Sequence, residues 1–481
     1  MVNRRAVAGF AVAALVLVVA ALWWDRARPE APLIAPAADQ NVLLITIDTL
    51  RADALGSYGG RAATPNLDRL AQGGLRFTFA HAHAVVTLPS HASILTGRYP
   101  FEHGVRDNAG YRLDDKADTL AEIARRGGLA TGAFVGAFPL DRQFGLGQGF
   151  DVYSDVGGRV VAQGDFAFTE RRAEEVVGEA RAWIEKQRSK WFAWVHVFDP
   201  HASYTPPPPF DARYSGDPYA GEVAYVDHAL GPLLDAVRRS ARPTTIVVTA
   251  DHGEGLGDHG EATHGTFAYE STLRVPLILA QVGPGTDGSR GRSIDAPVRH
   301  VDIVPTIAGL LGMSVPGDLP GRTLLAAAAG DTRHTYFEAM TPMLKRGWAP
   351  LSGVIAGRAK YIDLPIEELY DLAADPREER NLVASAGASV SALVSDLRRS
   401  GMRVKGTEVV NQQAPAAASE GRREVAAGDP ERAASNGCSV GGAGMRVKGT
   451  EVVNQQAPAA ASEGRREVAA GDPERAARWG T

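Results

Sequence analysis

An α/β fold, with a largely parallel sheet sandwiched by helices and a smaller C-terminal α+β subdomain, is predicted by three features of the chain. Apolar, β-branched runs recur, and two of them, Asn41–Asp48 and Thr244–Asp251, end in a carboxylate. Such runs read as strands buried on both faces, the situation of strands in parallel sheets. Stretches of helical character separate them, a charged one at Glu170–Ser189 and a longer one near Ala220–Arg238. Finally, 481 residues with 44% hydrophobic content supply enough apolar side chains for one large domain and a smaller one.

The elements follow in order. Arg4 and Arg5 precede an uncharged apolar stretch from Ala6 to Trp24, long enough to cross a bilayer, and Trp23 and Trp24 suit its interface. No small-residue cleavage pattern follows directly, and Ala35-Pro36-Ala37 lies far downstream, so residues 1–25 read as a retained signal anchor, with a cleaved signal peptide as the alternative. Either way the positive-inside rule places the rest of the chain on the periplasmic or extracellular side of the cytoplasmic (inner) membrane, anchored or secreted. Residues 26–40, rich in Pro and Ala, read as a tether. The main domain, residues 41–325, then alternates strand Asn41–Asp48, helix Pro65–Gln72, a turn and helix opening at Thr87, strand Leu129–Val135, helix Glu170–Ser189, strand Trp191–Phe198, helix Ala220–Arg238, strand Thr244–Asp251 and a helix from Val301. Residues 326–400 form the subdomain, antiparallel over Thr335–Leu372, with strands at Tyr336–Glu338 and Val354–Gly357. In the tail, residues 401–481, the 33-residue segment Met402–Ala434 recurs unchanged as Met445–Ala477. Its Ala, Glu, Arg, Gly and Pro content lacks apolar periodicity and predicts disorder, and it is assigned no chemistry.

Candidate chemistry collects at strand ends, where open α/β sheets bind ligands. Asp48, Asp251 and His252 sit there, and Thr87 joins them: Pro89 fits the first turn of a helix and Gly97 its end, which puts Thr87 at a helix N-terminus that favours anions. Thr87 also admits the plainer role of a helix cap. Two carboxylates, an imidazole and a hydroxyl make an oxygen-rich, thiolate-free set for one divalent ion, Ca²⁺, Mg²⁺ or Mn²⁺, with Zn²⁺ also possible. Such an ion lowers the pKa of a bound hydroxyl and would make Thr87 a nucleophile. His201 and His264 are candidates for leaving-group acid and anion clamp. His196, near the end of an apolar run, fits a site residue or a core histidine, with the core reading ahead. His81 and His83 share one face of a strand and read as its half-exposed surface, while His259 and Glu261 divide evenly between support of the site and solvent. A net charge of -5 carries no nucleic-acid signal, and the single cysteine, Cys438, excludes a disulfide framework.

Taken with Phe198-Asp199-Pro200-His201, Glu368-Leu369-Tyr370-Asp371-Leu372, Asp375-Pro376 and Asn381-Leu382, these motifs resemble the sulfatase-like branch of the alkaline phosphatase superfamily from about Asn41 to Leu382. The resemblance implies a metal-dependent hydrolase of sulfate or phosphate esters, with Asp48, Thr87, Asp251 and His252 as metal ligands and Thr87, His201, His264 and His91 as catalytic residues. It favours Ca²⁺ from the sulfatases and Mn²⁺ from related transferases. Implied substrates are sulfated or phosphorylated small molecules, glycans or lipids. The chain departs from the family where Thr87 replaces the Cys or Ser that matures to formylglycine, His91 the motif arginine, Thr49 a second acidic ligand, Val135-Gly136-Ala137-Phe138 a Gly-Lys-x-His clamp, and His264 an anion-binding lysine. Thr87 draws the reading toward phosphoryl chemistry, and the lost lysines toward monoanionic diesters or sulfates. An envelope phosphotransferase of the phosphoethanolamine or lipoteichoic type and a non-catalytic glycan-binding pseudoenzyme are the alternatives.

Overall fold

The structure, a computed structural model, describes residues 34–157, 170–286, 291–327, 331, 333–385 and 394–395. The apolar stretch Ala6–Trp24 and the duplicated tail lie outside these residues; among the described ones no helix is long and apolar enough to cross a membrane. Residues 34–40, read as the end of a tether, lie against the domain. Ile34 is buried, Ala37 N donates to the Leu310 carbonyl at 3.1 Å, and the Gln40 amide reaches the same oxygen at 2.8 Å.

The centre is a sheet of eight strands: β1 (Asn41–Ile47), β2 (Leu75–His81), β3 (Ala130–Val135), β4 (Val152–Ser154), β5 (Trp191–Val197), β6 (Thr244–Ala250), β7 (Arg274–Val282) and β8 (Arg292–Arg299). Their order is β4-β3-β5-β1-β6-β7-β2-β8, and β7 alone runs against its neighbours. Every residue of β1, β5 and β6 is buried, which is why these strands read as unbroken apolar runs rather than alternating ones. β4, β7 and β8 were not anticipated from the sequence.

Six helices matter to the site and its frame: α1 (Pro65–Gly73), α2 (Thr87–Thr96), α3 (Leu120–Arg126), α4 (Ala173–Lys186), α5 (Pro218–Arg238) and α6 (Ile303–Leu310). Each element foreseen in the sequence is present within a few residues of its expected ends. Helix α2 is buried along its whole length and stops at Gly97, whose φ of 69° is the left-handed geometry that glycine adopts without strain. The subdomain is a four-stranded antiparallel sheet, β9 (His334–Ala339), β10 (Leu351–Ala356), β11 (Ala359–Asp363) and β12 (Glu368–Asp371), ordered β12-β11-β10-β9.

That small sheet is fixed to the large one by buried charge. Lys360 of β11, 0% exposed, lies 2.6 Å from Glu378 and 3.3 Å from Glu270, and Glu270 in turn meets His81 Nε2 at 3.0 Å. His83 Nδ1 donates to the Tyr336 carbonyl of β9 at 2.7 Å. The expectation of a half-exposed surface for His81 and His83 is therefore overturned: both are buried, because the second sheet covers the face they share.

Candidate active site

Register assembles the site. β1 lies between β5 and β6, parallel to both, with Ile47 opposite Ala250, so the next residues, Asp48 and Asp251, emerge side by side. Two residues back, Thr46 stands opposite His196 of β5. Because side chains alternate across a strand, Thr46, Asp48 and His196 face the same side, the side that α2 covers.

Asp48, Asp251 and His252 bring ligand atoms within 4.8 Å of one another, fully buried. Asp251 Oδ1 accepts from the backbone N–H groups of His252 at 2.8 Å and Thr49 at 3.2 Å, while its Oδ2 has no partner. His252 Nδ1 donates to the Gly253 carbonyl at 2.9 Å, which leaves Nε2 as a bare acceptor 3.5 Å from Asp251 Oδ2 and 3.7 Å from Asp48 Oδ1. Both oxygens of Asp48 lack hydrogen bonds, and its Oδ2 lies 3.4 Å from His196 Nε2, which lacks one too. Buried polar atoms are seldom left unpaired, and the unpaired atoms that Asp48, Asp251 and His252 bring together could hold a cation. Gly253 is required by close approach: a Cβ there would lie 2.1 Å from the Ser271 carbonyl.

Thr87 is the first residue of α2, 2% exposed, and it is not the helix cap. Val86 holds that position without a side-chain bond, and Leu88 N donates instead to Asn108 Oδ1 at 2.8 Å. The same helix turn is tied to Asp251, whose carbonyl accepts from the Ser90 hydroxyl and whose Oδ2 lies 3.6 Å from His91 Nδ1. His91 is held from both ends. Its Nδ1 donates to the Thr87 carbonyl at 2.8 Å, and its Nε2 lies 3.0 Å from Thr46 Oγ1. Both ring nitrogens of His91, expected to be catalytic, are thus engaged inside the protein, one of them on the Thr87 carbonyl.

Thr49 stands where the resemblance led to comparison with a second acidic ligand. Its hydroxyl donates to the Pro200 carbonyl at 2.8 Å, and its φ of 51°, unusual for a β-branched residue, turns the chain out of the strand. A line of imidazoles leads outward from the cluster: His252 to His264 with centroids 4.5 Å apart, then His264 to His201 at 5.1 Å. His264 Nδ1 donates to Glu254 at 3.1 Å, His201 Nδ1 to the Ala202 carbonyl at 2.7 Å, and both rings are partly open to solvent. The remaining pair lies away from this line. Glu261 accepts from the backbone of Thr266 at 2.7 Å, and His259 stacks on Tyr269 at 3.7 Å in an exposed position.

Burial governs the charges. It raises Asp48 to about 7, and raises Asp251 to about 7 with help from the neighbouring Asp48 charge. Burial likewise lowers His196, His252, His201 and His264 to about 4 and His91 to about 3, so these rings are neutral at neutral pH.

Fold and site together define an α/β protein that gathers carboxylates and an imidazole able to hold a cation at adjoining strand ends under a helix N-terminus. The sulfatase family profile matches residues 40–313, and the chain belongs to the sulfatase family. It is 28% identical over 336 residues to an ulvan-active sulfatase of Formosa agariphila, a match covering 59% of this chain and 64%, less than two thirds, of that relative. Among solved structures, the phosphonate monoester hydrolase of Agrobacterium radiobacter superposes with a TM-score of 0.62 at 23% identity, over 77% of this chain and 96% of that one. A protein solved with its substrate D-glucosamine-2-N,6-O-disulfate superposes with a TM-score of 0.65 at 22% identity, over 77% and 98%. At such identity these two likenesses speak to the fold.

Proposed function

We propose that the chain is a metal-dependent hydrolase of sulfate or phosphate esters in which the Thr87 hydroxyl is the nucleophile. Family membership supports the ester hydrolase class, and the relatives' names point to sulfated saccharides as the first substrates to try. The observation that carries the metal is the set of unpaired buried acceptors on Asp48, Asp251 and His252. A divalent ion there, with Thr87 as a further ligand, would supply the charge that acidifies the hydroxyl and offsets the ester's negative charge.

The remaining work falls to the protein. The first turn of α2 directs its partial positive charge toward an ester anion in front of Thr87. His91 and Ser90 fix that turn to Thr46 and Asp251, which holds the backbone that carries Thr87 Oγ1 in place. His264, oriented by Glu254, and His201 present Nε2 outward. An anion beside them favours their protonated forms, so one binds the ester oxygens and the other donates a proton to the departing alcohol. Attack by the Thr87 oxygen, with its proton passing to water, forms the Thr87 ester and breaks the bond to the leaving oxygen; water then releases sulfate, phosphate or, from a diester, the phosphate monoester.

The test is turnover of aryl sulfates, phosphate monoesters and phosphate diesters by the full chain with Mn²⁺, Ca²⁺, Zn²⁺ or Mg²⁺, beside Thr87→Ala. The expected result is turnover with at least one ester and metal that falls about 10³-fold or more in the variant. Unchanged turnover in Thr87→Ala would remove the nucleophile. No turnover of any ester by the native chain would shift the reading to transfer onto an alcohol acceptor or to binding alone. For location, we propose the outer side of the cytoplasmic membrane, supported by Arg4, Arg5 and the apolar stretch after them.

A further inference from the structure

His196 carries an argument that proton counting completes. The hub is Thr46 Oγ1, which meets three nitrogens: Trp194 Nε1 at 3.0 Å, His91 Nε2 at 3.0 Å and His196 Nδ1 at 3.1 Å. Indole N–H is a donor only, so Trp194 gives its proton to Thr46. His91 Nδ1 faces a carbonyl oxygen, which can only accept, so that nitrogen bears the ring proton and Nε2 is the acceptor. Thr46 must spend its single proton on His91 Nε2. Its remaining lone pair can only accept, and His196 Nδ1 is therefore a donor.

The consequence lies on the other side of the His196 ring. With its proton on Nδ1, Nε2 is a bare lone pair, fully buried, without a hydrogen bond, 3.4 Å from Asp48 Oδ2, itself unpaired. Two acceptors in that relation repel unless a proton or a metal ion lies between them. Two donors each about 2.1 Å from one ion at a tetrahedral angle stand roughly 3.4 Å apart. His252 Nε2 stands 3.7 Å from Asp48 Oδ1 and 3.5 Å from Asp251 Oδ2, close to that spacing, and His196 approaches the cluster through Asp48 Oδ2.

We propose that His196 Nε2 is a fourth ligand from the buried acidic and imidazole groups, beside Asp48, Asp251 and His252 and in addition to the Thr87 hydroxyl, and that Thr46 and His91 act as positioning residues that set its tautomer. Two imidazoles shift the site away from Ca²⁺, an all-oxygen ion, toward first-row divalent ions such as Mn²⁺ or Zn²⁺. The inference rests on the metal reading above, and its test separates the two. Full-length protein is stripped with a chelator and titrated with Mn²⁺ alone, following the free-ion EPR signal, with Ca²⁺ as competitor; pulsed EPR on the bound ion counts directly coordinated nitrogens. Two coupled nitrogens, a Mn²⁺ preference over Ca²⁺ of about tenfold or more, and binding weakened about tenfold or more in His196→Ala are expected. The nitrogen count on the native protein needs no variant, so poor folding of His196→Ala leaves the test intact. A single coupled nitrogen, or Mn²⁺ affinity unchanged in His196→Ala, overturns the fourth ligand while leaving the metal reading in place. Absence of any Mn²⁺, Zn²⁺ or Ca²⁺ binding overturns the metal reading itself.

Discussion

Replacing Thr46 by valine isolates the polar hub, because valine keeps the shape of threonine and exchanges only hydroxyl for methyl. Thr46 is 0% exposed, so neither water nor a new cavity enters the account. The substitution leaves three buried groups without a partner: the Trp194 N–H, the His196 Nδ1–H and the His91 Nε2 lone pair. An unsatisfied buried donor or acceptor costs about 1–3 kcal/mol. Three of them set a floor of about 3 kcal/mol, and relaxation of the rings holds the loss to about 5 kcal/mol, near the upper end for single substitutions. Thr46→Ser keeps the oxygen and removes one methyl, for about 1 kcal/mol. Urea denaturation of the metal-free protein, followed by tryptophan fluorescence, measures both, and Trp194 reports from within the hub. A Val loss below about 1 kcal/mol, or a Ser loss equal to the Val loss, would show that Thr46 Oγ1 does not bridge these rings, and the proton assignment of His196 would fall with it.

Three further outcomes are expected. Asp48 and Asp251 have folded-state pKa values of about 7, above the unfolded 3.8, so the metal-free cluster holds protons that an ion must displace. Apparent metal affinity should therefore fall as pH drops below about 7, with proton release visible by calorimetry in two buffers; a flat profile from pH 5 to 8 contradicts this. The same shift makes these two groups' contribution to the metal-free fold full below pH 3.8 and lost as pH rises through about 7, a loss that bound metal reverses. Lys360→Met leaves Glu270 and Glu378 buried without their cation and should cost about 3–5 kcal/mol in urea, whereas a loss under about 1 kcal/mol would deny the clamp between the sheets. Since Asn108 and not Thr87 bonds the N-terminus of α2, Asn108→Ala should cost about 1 kcal/mol and Thr87→Ala less; the reverse order by thermal melting would restore Thr87 as a cap.

Several site residues were legible because each was announced by its own strand. Asp48 and the Asp251-His252 pair follow fully buried runs, and a carboxylate ending such a run marks the ligand-binding edge of an open sheet whatever the neighbouring strands are. Thr87 was legible from Pro89 and Gly97, which bracket its helix. His91 was noticed as a departure from the family motif, but its orientation toward Thr46 depends on how α2 lies on β1. His81 and His83 were misjudged because the sheet that covers them is formed by residues more than 250 positions later in the chain. The antiparallel β7 escaped for a related reason: buried on most of its length, it carries no local sign of direction.

The sequence by itself determined the α/β class, the two carboxylate-tipped strands, the helix that begins at Thr87 and the family, since these depend on local periodicity, on residues that start and stop helices, and on motifs contiguous in the chain. Tertiary structure alone decided strand order, the burial of His81 and His83, the separation of Thr87 from capping, and above all the place of His196. That histidine faces Asp48 because Thr46 stands opposite it in register while α2 closes the same face. Register and tautomer arise from pairings between distant segments, which no spacing along one segment encodes.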